Sequence, residues 1–218
     1  MPVIAIDGPA GAGKSTVARS VAKRTGLPYL DTGAMYRCVA LAAQRQGIDL
    51  NNDVDMGRIA LSSHIVIEES TASLNGEDVS ELIRSSEISG IVSVIAAHSS
   101  VRDAMREQQR RWIGEHGGGV VEGRDIGTVV FPDAEVKIFL TASPEVRAQR
   151  RVNQTGGDVD AIAANIAERD RIDSTRSDSP LRPAEDSHHV DSSNQSIEAV
   201  VDKIVEIFHL FAEGRSHG

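Results

Sequence analysis

The sequence predicts an α/β fold: a mostly parallel sheet with helices on both faces. Three observations carry this expectation. Short continuous apolar runs alternate with longer segments of helical period. The first run feeds a glycine-rich turn that opens a helix, and polar clusters follow the apolar runs, where open α/β sheets bind ligands.

Val3–Ile6 reads as a buried strand because the run is continuous and apolar. Ser15 to about Thr25 is helical and stops at Gly26-Leu27-Pro28. Tyr29-Leu30 is a short second strand, followed by a helix from about Ala34 to Gln46 that Gly47 ends. From about 63 to 83 the pattern alternates and carries an Asn75-Gly76 turn, which predicts a small antiparallel insert. A long helix is expected from about Ser86 to His116, kinked near His98-Ser99-Ser100 and ended by Gly117-Gly118-Gly119. Val120–Glu122 and Val136–Leu140 are further buried strands. Helices at about Pro144–Asn153 and Asp160–Thr175 flank a flexible, solvent-facing Gln154–Gly157. His188–Asp191 is a last strand, Ser196–Glu213 a closing amphipathic helix, and Gly214–Gly218 a tail expected to be disordered.

Composition narrows the class. At 218 residues, 40% apolar and 25% charged, the chain suits one soluble domain with a small insertion. The single cysteine, Cys38, excludes an internal disulfide and a cysteine-based zinc cage. No apolar run approaches the ~20 residues of a membrane span, and the start reads as strand, not leader. A cytoplasmic protein with no membrane association is expected. The net charge of −9 argues against a broad nucleic-acid surface but leaves room for a local anion site. Four lysines (Lys14, Lys23, Lys137 and Lys203) leave most positive charge to arginine, which suits bidentate phosphate recognition.

The glycine-rich turn has the spacing of a phosphate loop: Gly8-Pro9-Ala10-Gly11-Ala12-Gly13-Lys14-Ser15-Thr16. Gly8, Gly11 and Gly13 let backbone N–H groups turn toward a phosphate. Lys14 brings a point charge to the β and γ phosphates, and the Ser15 hydroxyl can reach Mg²⁺. Asp31-Thr32-Gly33-Ala34-Met35-Tyr36-Arg37 follows the second strand, and Gly123-Arg124-Asp125 the third. On helices, Arg169, Asp173 and Arg176 share one face, as do Arg102, Arg106 and Arg110. A solvated face of Arg–Asp pairs is the competing reading of both. With the phosphate loop, these cations fit phosphoryl transfer between two anionic substrates. The GTPase motifs N-K-x-D and D-x-x-G are absent.

Over nearly its whole length the sequence resembles the bacterial cytidylate kinases. The carrying segments are Ile6–Lys14, Leu30–Arg37, Asn75–Val79, Val101-Arg102 and Glu122–Ala134. The resemblance implies a P-loop NTPase-type three-layer α/β/α fold with a five-stranded parallel sheet. It also implies a core (about 1–62, 84–145 and 177–214), a monophosphate-binding insert (about 63–83) and a helical lid (about 146–176). The implied reaction transfers the γ-phosphoryl group of ATP to CMP or dCMP, with Mg²⁺, in pyrimidine nucleotide metabolism. A monomer is expected.

Carried over residue by residue, Lys14 and the loop from Gly8 to Thr16 would hold ATP, with Ser15 toward the metal. Thr32, Arg37 and Arg124 match positions around the acceptor phosphate. Ser93, Arg102, Asp125 and Arg176 match positions around the acceptor nucleoside, and Arg169 and Asp173 the sugar region. Lys14, Arg124, Asp125 and Arg150 are the expected catalytic set, Arg150 being chosen from the lid arginines Arg147, Arg150 and Arg151. Thr32 stands where serine is common in the family, keeping the hydroxyl and adding a methyl. Cys38, Trp112 and the His188-His189 pair read as packing or strand surface, and Asp7 as structural. The alternatives are another small-molecule P-loop kinase (thymidylate, shikimate or dephospho-coenzyme A kinase) or a non-catalytic nucleotide-binding regulator.

Overall fold

The structure, a computed structural model, describes residues 1–215. In chain order the first elements are β1 (Val3–Asp7), α1 (Lys14–Thr25), β2 (Tyr29–Asp31), α2 (Thr32–Arg45) and α3 (Asp53–Ser62). There follow β3 (Ile65–Ile67), β4 (Ala72–Leu74), β5 (Glu77–Asp78) and a 3-10 turn at Leu82–Arg84. Next come α4 (Ser86–Ile95), α5 (Ser99–His116), β6 (Gly119–Gly123), a π turn at Ile126–Val130 and β7 (Val136–Thr141). The hairpin of α6 (Pro144–Thr155) and α7 (Val159–Thr175) precedes β8 (His188–Asp191) and α8 (Ile197–Arg215).

The main sheet has five parallel strands in the order β2-β6-β1-β7-β8. β1 lies at its centre and is buried along its whole length, which explains the uninterrupted apolar run. Its last residue, Asp7, sits in register with Gly123 of β6 and Phe139 of β7. The phosphate loop and the Gly123–Asp125 turn therefore leave the sheet side by side. One core packs Val17, Val21, Val200 and Ile204 of α1 and α8 against Ile4, Ile6 and Ile138. The other packs α2 to α5 and the small sheet against Ala5, Leu30 and Val121.

The small sheet β3-β4-β5 is antiparallel, as expected between 63 and 83. Asn75 and Gly76 both take positive φ (53° and 85°), the geometry of a tight hairpin turn. Cys38 is fully buried, and His188 and His189 are exposed, as read from the sequence. Trp112 is half-buried and stacks on His116.

Three expectations need correction. The helix from Ser86 to His116 is two helices, α4 and α5, separated at Ala96-Ala97-His98. His98 turns extended there, with its imidazole between the Asp53 carboxylate at 3.2 Å and the Leu50 carbonyl at 2.7 Å. Helix α3 was not anticipated, although Asn52 caps it by accepting from the N–H groups of Val54 and Asp55. The last helix extends through Gly214 and Arg215, so those two are not tail; residues 216–218 lie outside the described residues.

Asp7 shows how the site is framed. Its buried carboxylate accepts from the N–H groups of Ile126 at 2.9 Å and Gly127 at 2.8 Å. Burial pushes the carboxyl up to about 6, against the opposing pull of these two bonds and Lys14. β1 thereby pins the turn that carries Arg124 and Asp125.

Gly8 leaves β1 at φ 152°, and a Cβ there would stand 2.0 Å from the Leu140 carbonyl oxygen. Gly8→Ala is therefore expected to cost at least ~2 kcal/mol of stability. Urea unfolding checks this; an unchanged midpoint would contradict the close approach of the loop to β7.

Candidate active site

A cleft of about 580 Å³ opens beyond the carboxyl ends of the strands. It is lined by the phosphate loop, the start of α2, α4, Gly123–Asp125 and the α6–α7 hairpin. Three regions follow one another along it.

At the phosphate loop, Gly11, Gly13, Lys14, Ser15 and Thr16 line the cleft. Gly11 and Gly13 both take positive φ, so the turn depends on glycine there. Lys14 is buried, and its ammonium donates to the Pro9 carbonyl at 2.8 Å. Burial, then the nearby Arg124, brings Lys14 down to about 7, with Glu122, Asp7 and Asp173 opposing. Ser15 and Thr16 are exposed in the first turn of α1. The buried carboxyl of Glu122 accepts from the Tyr29 hydroxyl. Burial, then Asp31, pushes Glu122 up to about 7.

In the middle lies a group of arginines. Thr32 donates to the Glu122 carbonyl at 2.6 Å, which fixes the start of α2. Arg37 donates to Ser89 Oγ at 2.9 Å and to the Ile83 carbonyl at 3.2 Å. Arg124 Nε donates to Asp173 at 2.9 Å. Arg169 is pulled down to about 10 by burial, then by Arg124 and Arg37. Arg37 is lowered too, by burial and then by Arg151, Arg124 and Arg84 against the pull of Asp31. Cations held close enough to depress one another form a receptor for an anion that would offset the repulsion.

At the far end, Arg102 is 1% exposed. Its guanidinium pairs with Asp125, donates to the Ala96 carbonyl at 3.1 Å and lies 5.6 Å from the Tyr36 ring centre. Arg176 Nη2 is 3.7 Å from Asp125 Oδ1 and is buried without a hydrogen-bond partner. Ser93 is buried beside them in the lining. This end offers hydroxyl, carboxylate and guanidinium groups, the mixture that reads a polar planar edge.

The structure thus brings Lys14, Ser15, Thr16, Thr32, Arg37, Ser93, Arg102, Arg124, Asp125, Arg169, Asp173 and Arg176 into one cleft. Ala10, Gly11 and Gly13 line it as well, whereas Gly8, Pro9 and Ala12 sit in the loop behind the lining. Arg150 is also outside it. Its guanidinium donates to the Ala12 carbonyl at 3.2 Å and the Ser192 carbonyl at 2.7 Å, clasping the loop from behind. Arg147 does likewise through the Ala10 carbonyl at 2.9 Å and Asp170. The cleft-facing arginine of α6 is Arg151. Sequence reasoning did not place Asp31, Tyr36, Ser89 or Glu122 in the site. Asp31 and Tyr36 lie inside the polar cluster that follows the second strand, while Glu122 ends an apolar run and reads as strand.

The chain is similar to known kinases in sequence and in fold. A family profile described as cytidylate kinase matches residues 4–210. The cytidylate kinase of Pelotomaculum thermopropionicum is 50% identical over 94% of this chain and 94% of its own. That of Solibacter usitatus is 49% identical over 94% of this chain and 91% of its own. A bifunctional pantoate ligase/cytidylate kinase of Prochlorococcus marinus is 48% identical over 96% of this chain. The match spans 43% of that longer protein, less than half its length. Among solved structures, a gluconokinase from Sinorhizobium meliloti superposes with a TM-score of 0.54 at 14% identity, covering 99% of this chain and 96% of that one. A sugar kinase from Janibacter gives 0.53 at 13% identity, covering 96% and 95%. At such identities the likeness is one of fold.

Proposed function

Because the chain belongs to the cytidylate kinase family, we propose that this cleft transfers the γ-phosphoryl group of ATP to CMP or dCMP, giving ADP and CDP or dCDP. The observation that carries the proposal is the continuity of the cleft: phosphate loop, arginine group and Arg102–Asp125–Arg176 end line one cavity.

In this reading Lys14 and the loop amides hold the donor phosphates. Arg37, Arg124 and Arg169 grip the acceptor phosphate, and the anion offsets the burial and mutual repulsion that lower Arg37 and Arg169. The attacking phosphate oxygen is already anionic, so positioning and charge neutralisation dominate over general-base catalysis. Asp173 accepts from the sugar. Ser93, Arg102, Asp125 and Arg176 read the base, and a wrong edge leaves one of these buried groups unpaired. The α6–α7 hairpin serves as the lid, and the assignment of a lid arginine to the transferred group moves from Arg150 to Arg151.

Mg²⁺ fits as a nucleotide-borne ion. Among the described residues no cluster of three or more His, Cys, Asp or Glu could cage it, and Mg²⁺ favours waters and phosphate oxygens with one or two protein ligands. Ser15, exposed in the first turn of α1 and lining the cleft, would hold it. When bound, the ion would neutralise phosphate charge. Among the described residues no helix is long and apolar enough to cross a membrane.

The test is acceptor-dependent ADP release by the purified chain with CMP, dCMP, UMP, dTMP, shikimate and gluconate. Turnover with CMP and dCMP well above the rest is expected. Turnover only with another acceptor would transfer the site to a different small-molecule kinase; ATP binding without any turnover would favour the regulator.

A further inference from the structure

The arginines that share one face of α5 resolve into three different roles. Arg102 enters the cleft. Arg110 donates to the carbonyls of Val129 and Val130, both at 3.0 Å, and steadies the π turn. Arg106 lies between them, outside the cleft lining, with its side chain 16% exposed.

Two of the three side chains that Arg106 holds, Asp178 and Ser179, lead back to the cleft. Its Nη1 donates to Asp178 Oδ1 at 2.8 Å and to Ser179 Oγ at 2.9 Å. Its Nη2 donates to Asp103 and, at 3.3 Å, to Asp178 Oδ2. Ser179 is buried at φ 52°, a left-handed conformation that a residue with a Cβ adopts only when its surroundings enforce it. In that conformation the Ser179 carbonyl accepts from Arg176 Nε at 2.8 Å. Asp178 Oδ1 also stands 3.8 Å from Arg102 Nε, which is buried and has no hydrogen-bond partner.

We infer that Arg106 is a positioning residue for the nucleobase end of the acceptor site. Through Ser179 it aims the Arg176 guanidinium, and through Asp178 it places a counter-charge beside Arg102. This inference rests on the reading that the far end of the cleft takes the base. Although partial burial opposes it, the hydrogen bonds from Arg106 and Ser179 hold the Asp178 carboxyl down to about 2. The brace is therefore an ion pair throughout the neutral range.

Arg106→Leu and Asp178→Ala are measured in parallel, so that misfolding of one leaves the other. In Asp178→Ala, Arg106 keeps Asp103 and the Ser179 hydroxyl as partners. Each folded variant is expected to raise KM for CMP about tenfold, the scale of losing a charged hydrogen bond, with KM for ATP unchanged. The preference for CMP over UMP is expected to fall with it. Arg106→Lys, whose single nitrogen can replace Nη1 at Asp178 and Ser179 but not the second arm at Asp103 and Asp178 Oδ2, should lie between. A merely structural role would lower the melting temperature while leaving both KM values alone, and that outcome overturns the inference. Failure of the wild-type chain to use CMP overturns the functional reading instead, so the two failures are distinguishable.

Discussion

Lys14→Ala is expected to lower kcat by about 10³ or more, the scale seen when a preorganised cation or donor is removed from a transferring phosphoryl group. The fold is expected to survive. Lys14 is buried and its ammonium is held below its ordinary affinity for a proton by burial and Arg124. Its charged form is thus disfavoured in the ligand-free fold, and its removal should leave the urea midpoint unchanged or slightly raised. The sign of the linkage gives a second readout. Lys14 titrates near 7 without ligand, and a bound polyphosphate favours the protonated form. ATP binding should therefore take up a proton as pH rises above 7, and affinity should decline over the same range. Calorimetry in buffers of different ionisation enthalpy checks this, and the buffer dependence should shrink in the variant. A near-normal kcat would remove the phosphate loop from the mechanism.

Asp125→Ala should be the most damaging change at the far end of the cleft. Asp125 is 4% exposed and is the acid against which both Arg102 and Arg176 are set. Without it, a guanidinium that is 1% exposed keeps the Ala96 carbonyl but loses its close carboxylate. Removing one partner of such a pair costs about 3–5 kcal/mol, because the other charge stays buried. Urea denaturation should register that loss, and CMP should restore less stability to this variant than to the wild type. Asp125→Asn, which keeps the shape and an acceptor oxygen, should cost less. Wild-type stability in Asp125→Ala would mean that Arg102 and Arg176 are not held by this carboxylate.

How much of this was legible beforehand depends on distance along the chain. The phosphate loop was, because strand, glycines, Lys14 and Ser15 are contiguous and each obeys a local rule. The Asn75-Gly76 hairpin was legible for the same reason. The break between α4 and α5 was only half visible: residues 96–98 carry no proline or glycine, and the break is stabilised by His98 reaching Asp53 and Leu50 on another segment. Arg147, Arg150 and Arg151 could not be ranked from the sequence, since neighbouring positions on a helix differ by roughly 100° in direction. Packing of α6 against the loop turns two of them onto loop carbonyls and leaves Arg151 to the cleft. Arg106 and Asp178 lie 72 residues apart, and nothing local pairs them.

The sequence by itself determined the class of fold and the phosphate loop, because periodicity, turn chemistry and residue type act over a few neighbouring positions; the acceptor side of the cleft was implied only by the family resemblance. Only the tertiary structure decided which arginines face the ligand and which are tied to backbone, and how Asp125, Asp173 and Asp178 are shared among them. Those choices follow from burial: once the sheet and helices close over these charges, each must find a partner across the fold or be left for the substrate.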